Sequence, residues 1–215
     1  MAVTRPAGQA GELADRVEAL GCEAVLWPLL AIEAIDGDPV DASGYDWVVV
    51  TSPNGASALA RRLASPPQRL AAIGPGTAAA LRGQGLEPDL IPRVSTQEGL
   101  LADLPRPAGR VLLAAAAGAR PLLVEELGAD FLPLYRTVEL APETTPEVDL
   151  VLLASPSAAR SLARTESRAV PVVAIGPQTA AAARELGLEL AAEAETHDLD
   201  GLGAALERVL GRSRR

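Results

Sequence analysis

The chain repeats itself once, about a hundred residues on. Residues 46–61, Asp-Trp-Val-Val-Val-Thr-Ser-Pro-Asn-Gly-Ala-Ser-Ala-Leu-Ala-Arg, share eight of sixteen positions with residues 149–164, Asp-Leu-Val-Leu-Leu-Ala-Ser-Pro-Ser-Ala-Ala-Arg-Ser-Leu-Ala-Arg. Residues 72–80, Ala-Ile-Gly-Pro-Gly-Thr-Ala-Ala-Ala, return at 174–182 with one change in nine. The offsets of 103 and 102 are close to half of the 215 residues. Two copies are too few for a solenoid, which needs at least about three short repeats. A duplicated domain is expected, with function placed between the copies, where ligand sites concentrate.

Short apolar runs alternate with helical stretches. Strands are expected over 2–4, 23–27, 47–51, 70–74, 88–91, 110–114, 130–134, 150–154, 172–176 and 188–192. Helices are expected over 9–20, 53–64, 75–84, 97–104, 120–127, 156–164, 177–186 and 200–210. Buried runs separated by helices read as α/β with parallel sheets. Ten strands in two fives fit two flavodoxin-like parallel-sheet lobes related by duplication. The repeat alone splits the chain near residue 105. A second partition is equally open: Pro28 to Ile35 and Pro133 to Leu140 both look extended. If they pair, they form a two-stranded interlobe linker (32–35 and 135–140). One lobe then holds 1–31 plus 141–215, and the other 36–134.

The formal charge of −9 disfavours a nucleic-acid or anionic-membrane surface, which needs clustered cations. All 19 cationic side chains are arginines, so a Schiff-base or P-loop lysine is excluded. Cys22 is the only cysteine, which rules out an internal disulfide, and packing is its expected role. His197 is the only histidine, and its neighbours Thr196 and Asp198 suggest a loop or helix cap. The first residues lack a basic region followed by an apolar stretch, so a cytoplasmic protein is the expectation.

The repeated strand–helix junctions carry the chemistry. They are Thr51-Ser52-Pro53-Asn54, Gly74-Pro75-Gly76-Thr77, Ser155-Pro156-Ser157 and Gly176-Pro177-Gln178-Thr179. Serine before proline is an N-cap followed by a residue whose missing N–H costs nothing at the first helical position. Each junction should offer amides and a hydroxyl at the positive end of a helix dipole, suited to carboxylate or phosphate. None matches a Walker or dinucleotide motif, which disfavours nucleotides. Arg5, Arg93, Arg120, Arg136 and Arg160 fall at or near loop ends, either to meet an anionic ligand or as solvated surface charges. Tyr135 lies in the proposed linker, where its phenol could donate a proton or clamp a ligand.

In order and spacing, these pieces resemble the uroporphyrinogen-III synthase family over nearly the whole chain. The matching stretches are Thr4-Arg5-Pro6, Pro28-Leu29, Val50 to Gly55, Ala72 to Thr77, Gln97-Glu98-Gly99-Leu100, Pro133 to Thr137, Ser155-Pro-Ser157, Ala174 to Thr179 and Gly201-Leu202. The resemblance implies the nested two-lobe arrangement with its paired linker. It implies a cytoplasmic enzyme, a lyase, that cyclises hydroxymethylbilane with inversion of ring D and loss of water. No metal or organic cofactor is implied. A monomer is expected, in transient contact with the preceding enzyme of the pathway. Tyr135 corresponds to the tyrosine suspected of assisting departure of the hydroxyl. Arg5, Thr51, Ser52, Asn54, Gly74, Thr77, Arg120, Ser155, Ser157, Gly176, Gln178 and Thr179 are the expected substrate-binding residues. Residues 113–118 lack the arginine many members carry there, leaving Arg120 as the nearest cation. The rival reading is a non-catalytic bilobal protein that binds a small anion or regulates.

Overall fold

Continuous apolar runs become short strands whose side chains alternate between the two faces of a sheet. Val48 and Val50 enter one core while Val49 enters another, and all three are fully buried. Val151 and Leu153 separate from Leu152 in the same way. A strand buried on both faces needs a helix layer on each, which is why the runs are unbroken rather than alternating.

The protein, described here from a computed structural model over residues 1–213, runs as follows. It opens with β1 (Ala2–Val3), α1 (Gly11–Ala19), β2 (Val25–Leu26) and β3 (Leu30–Ala34). Next come β4 (Val40–Asp41), β5 (Trp47–Val50), α2 (Pro53–Arg62), β6 (Leu63–Ser65), β7 (Leu70–Ala72) and α3 (Pro75–Arg82). The middle contains α4 (Gln97–Asp103), β8 (Val111–Ala116), α5 (Leu122–Leu127) and β9 (Asp130–Glu139). The last part is β10 (Val151–Leu153), α6 (Pro156–Leu162), β11 (Val172–Ala174), α7 (Pro177–Glu185), β12 (Leu190–Glu193) and α8 (Leu199–Ser213).

The chain divides into two compact units. Unit 1 is Met1–Ala31 with Val138–Arg215, and unit 2 is Ile32–Thr137. The boundaries fall inside β3 and β9, so residues 32–35 and 135–140, expected as a separate linker, are shared out between the units. Unit 1 contains a sheet in the order β12-β11-β10-β1-β2, with every pair parallel. The second sheet runs β3-β9-β8-β5-β7, and its β9-β8-β5-β7 part is parallel. The Ile35 amide donates to the Leu134 carbonyl, while the Leu140 amide donates to the Leu29 carbonyl. Those two bonds give β3 and β9 antiparallel register.

Three expectations need correction. The strand expected at 88–91 shrinks to a single bridge between Ala71 and Leu90. Pro88 and Pro92 flank it without amide donors, which suits an edge and not a ladder. The fifth strand of the second sheet is β3 instead. The helix expected over 53–64 stops at Arg62, and Leu63 turns extended (φ −69°, ψ 113°) to begin β6. That strand pairs in parallel with β4 as a small two-stranded sheet, which the residue pattern did not announce. The strand expected at 130–134 continues to Glu139, with a register shift opposite Ala115 and Ala116.

Candidate functional site

Parallel strands place all their following helix starts on one edge of the sheet, the carboxyl edge, where ligands of open α/β sheets bind. In unit 2, β5 and β7 are neighbours and lead into α2 and α3. In unit 1, β10 and β11 are neighbours and lead into α6 and α7. All four helices carry proline in their first turn.

The four starts are of two kinds. Ser52 and Ser155 cap their own helices, accepting from the Gly55 amide at 3.0 Å and the Ala158 amide at 3.2 Å. Those hydroxyls serve the fold first, as the serine-before-proline pattern predicts. Gly74 and Gly176 offer no side chain, so the first amides of α3 and α7 have no side-chain cap. One turn on sit Thr77 and Thr179, each only 3% exposed. Neither hydroxyl has a hydrogen-bond partner among the described residues. Neither hydroxyl oxygen is sealed from solvent, so each is open to water or to a ligand at its helix start.

Ser52 does more than cap. Its Oγ lies 2.8 Å from the Tyr135 phenol, in a hydrogen bond where either oxygen can donate. Tyr135 is 7% exposed and stands on β9 opposite Ala116, at the end of β8. The structure therefore joins Ser52 and Tyr135 directly. Thr51 is half-buried just before the cap, and Asn54 is half-buried in the first turn of α2, with its own interactions.

In unit 1, a cavity of about 300 Å³ is lined by Ser155, Gly176, Gln178 and Thr179 together with His197. Ser157 is not part of that lining; its hydroxyl accepts from Arg160 at 2.8 Å. Arg5 also stands apart, with one 3.5 Å contact to Gln9.

His197 is a functional candidate that residue-by-residue reading assigned to a loop or cap. The cap of α8 is its neighbour Asp198, which accepts from the Gly201 amide at 2.7 Å and from Thr196. That amide, with Thr196, holds the Asp198 carboxyl below its ordinary range. The imidazole itself lies over Gly176: a methyl built there would fall 2.8 Å from Cδ2. The corresponding methyl on Gly74 would fall 2.7 Å from the Ser95 hydroxyl. The pairs Gly74/Ser95 and Gly176/His197 share the offset of 102. Carrying the repeat back from Gly99-Leu100 and Gly201-Leu202 would have exposed the match.

The arginines are mostly engaged. Arg93 pairs with Asp103, Arg136 with Glu33 and Arg160 with Glu139. Arg120 forks onto both Glu98 oxygens at 2.7 and 3.0 Å, and its carbonyl accepts from the Gln97 amide. The fork holds the Glu98 carboxyl down at about 2. Of the two readings the sequence left open for these four side chains, the structure shows each in a surface ion pair. Such exposed pairs contribute little to stability. Among the described residues no cluster of three or more His, Cys, Asp or Glu is placed to hold a metal. No described helix is long and apolar enough to cross a membrane.

Parallel sheets with uncapped helix starts at the carboxyl edge of each define an α/β protein. Comparison with known proteins then specifies which. The family model described as uroporphyrinogen-III synthase HemD matches residues 11–204. A uroporphyrinogen-III synthase of Synechococcus elongatus is 26% identical, over 95% of this chain and 93% of that protein. A putative uroporphyrinogen-III synthase of Methanocaldococcus jannaschii is 29% identical, over 67% and 64%. Among solved structures, the uroporphyrinogen-III synthetase of Helicobacter pylori has the same fold at a TM-score of 0.65 and 18% identity, covering 90% of this chain and 93% of that one. A mutant uroporphyrinogen III synthase from Thermus thermophilus does so at 0.55 and 22%, covering 94% of each.

The chain belongs to the uroporphyrinogen-III synthase family, and with it to tetrapyrrole biosynthesis. That membership favours the enzyme over the rival anion-binding or regulatory reading.

Proposed function

We propose that this chain is a hydro-lyase that closes hydroxymethylbilane into uroporphyrinogen III, inverting ring D and releasing water. In this reading the two units are copies of one flavodoxin-like design, and β3 and β9 are the strands that link them. The protein works as a cytoplasmic monomer. The observation that carries the chemistry is the Tyr135–Ser52 hydrogen bond of 2.8 Å at the carboxyl edge of unit 2.

The reaction asks for little covalent help. The pyrrole nitrogen of the substrate expels the terminal hydroxyl, leaving an electrophilic azafulvene. Ring D then attacks through its substituted carbon, and a spiro intermediate rearranges. Two tasks remain for the protein: a proton for the departing hydroxyl, and a fixed conformation of a flexible polyanion. Tyr135 supplies the first. When Ser52 donates to the phenol oxygen, the phenol proton is left free for the leaving hydroxyl. General acid assistance of this sort contributes typically about 10²–10⁴-fold.

The second task falls to the helix starts. The amides of α3 and α7, with the Thr77 and Thr179 hydroxyls, receive carboxylate side chains. Gly74, Gly176 and Gln178 shape the approach, and Ser155, Thr51 and Asn54 flank it. Orientation of this kind can supply up to roughly 7–11 kcal/mol in the best model systems.

The deciding experiment supplies freshly generated hydroxymethylbilane and resolves the product isomers. Type III product is expected. Type I alone would refute the assignment.

A further inference from the structure

We infer that His197 is a substrate-binding residue, which gives the α7 site of unit 1 a carboxylate donor that its counterpart in unit 2 lacks. The inference rests on the reading that this edge receives tetrapyrrole carboxylates.

Three observations support it. The unit 1 cavity of about 300 Å³ is lined by Thr179, Gly176, Gln178 and Ser155. Thr179 is 3% exposed, and its hydroxyl, which has no partner among the described residues, is open to the cavity it lines. His197 lines the same cavity, and neither of its ring nitrogens has a partner among the described residues.

The duplication shows what is special here. α3 and α7 start alike, with a glycine, a proline and an unpartnered threonine three residues after the glycine. Over each glycine lies one side chain from the loop before the next helix, Ser95 in unit 2 and His197 in unit 1. A hydroxyl is thus replaced by an imidazole, which reaches farther and presents an N–H at its tip. The Nε2 atom is 3.4 Å from a methyl built on Gly176, close enough for its N–H to join the α7 amides on one anion. Asp198 does not oppose this, because its Oδ1 is turned onto the first turn of α8. Two otherwise matching sites therefore differ in donor strength, and the stronger is the α7 site of unit 1.

The test uses the full chain with hydroxymethylbilane for turnover and uroporphyrin III, a stable octacarboxylate, for binding. His197→Ala is expected to raise KM and the uroporphyrin Kd roughly tenfold or more, the usual effect of losing a hydrogen bond to a charged group. kcat should change less than threefold. His197→Gln, which keeps a donor, should recover most of the loss, and Ser95→Ala should cost less than threefold. The exposed position of residue 197 leaves folding intact, checked by an unchanged melting temperature. Unchanged KM and Kd in His197→Ala would overturn the inference, and so would an equal loss in Ser95→Ala. Absence of type III product from the unaltered protein would instead strike the functional reading beneath it.

Discussion

Tyr135 and Ser52 are 83 residues apart in the chain and 2.8 Å apart in space. Removing the phenol oxygen tests their role directly. Tyr135→Phe should lower kcat roughly a hundredfold, while costing no more than about 1 kcal/mol of stability, the net worth of one hydrogen bond. Unchanged turnover would remove the tyrosine from the chemistry. The Arg120–Glu98 fork makes a second prediction at this scale. Hydrogen bonding to Arg120 holds Glu98 at about 2 against an ordinary 4.5. A lowered folded-state value stabilises the fold above the ordinary value, and that contribution is lost as pH falls from 4.5 towards 2. Carboxyl carbon shifts should place the Glu98 midpoint near the lower end; a midpoint at 4.5 would mean the fork is open in solution. Serine N-caps were legible as residues because a cap is a local bond. The ion pairing of Arg93, Arg120, Arg136 and Arg160 was not, since their partners lie 10 to 103 residues away.

Helix starts leave two glycines of the repeat no room for a Cβ. Gly99 and Gly201 stand in the first turns of α4 and α8, with the chain doubling back over them. A methyl on Gly99 would come within 2.0 Å of the Val94 carbonyl oxygen, and one on Gly201 within 2.1 Å of that of Thr196. Backbone cannot yield as a flexible side chain can. Gly201→Ala should therefore destabilise by about 2 kcal/mol or more, an overpacking cost, read as a lowered denaturation midpoint; an unchanged midpoint would show that the loop gives way. Element by element, the helix positions were readable from proline and cap signals. What misled was the run at 88–91, apolar enough for a strand but bracketed by Pro88 and Pro92. Leu63–Ser65 likewise continued a helical pattern, yet finds a strand partner in Val40–Asp41.

Each unit has its own pair of apolar cores, one on either face of its sheet. Leu59, fully buried in unit 2, and Leu153, fully buried in unit 1, belong to different cores. Each Leu→Ala change should cost about 2–5 kcal/mol. The double variant should cost their sum to within about 0.5 kcal/mol, because the sites share no packing partner. Chemical denaturation of the three variants measures this, and a large departure from additivity would show that the cores are coupled. The amino-acid order alone determined the duplication, the alternation of strand and helix, and the residue types at each junction, because these depend on neighbours within a turn or a strand. Tertiary structure alone decided that Tyr135 meets Ser52 and that His197 covers Gly176. Those outcomes depend on how strands pair across tens of residues, and local propensity contains no term for that.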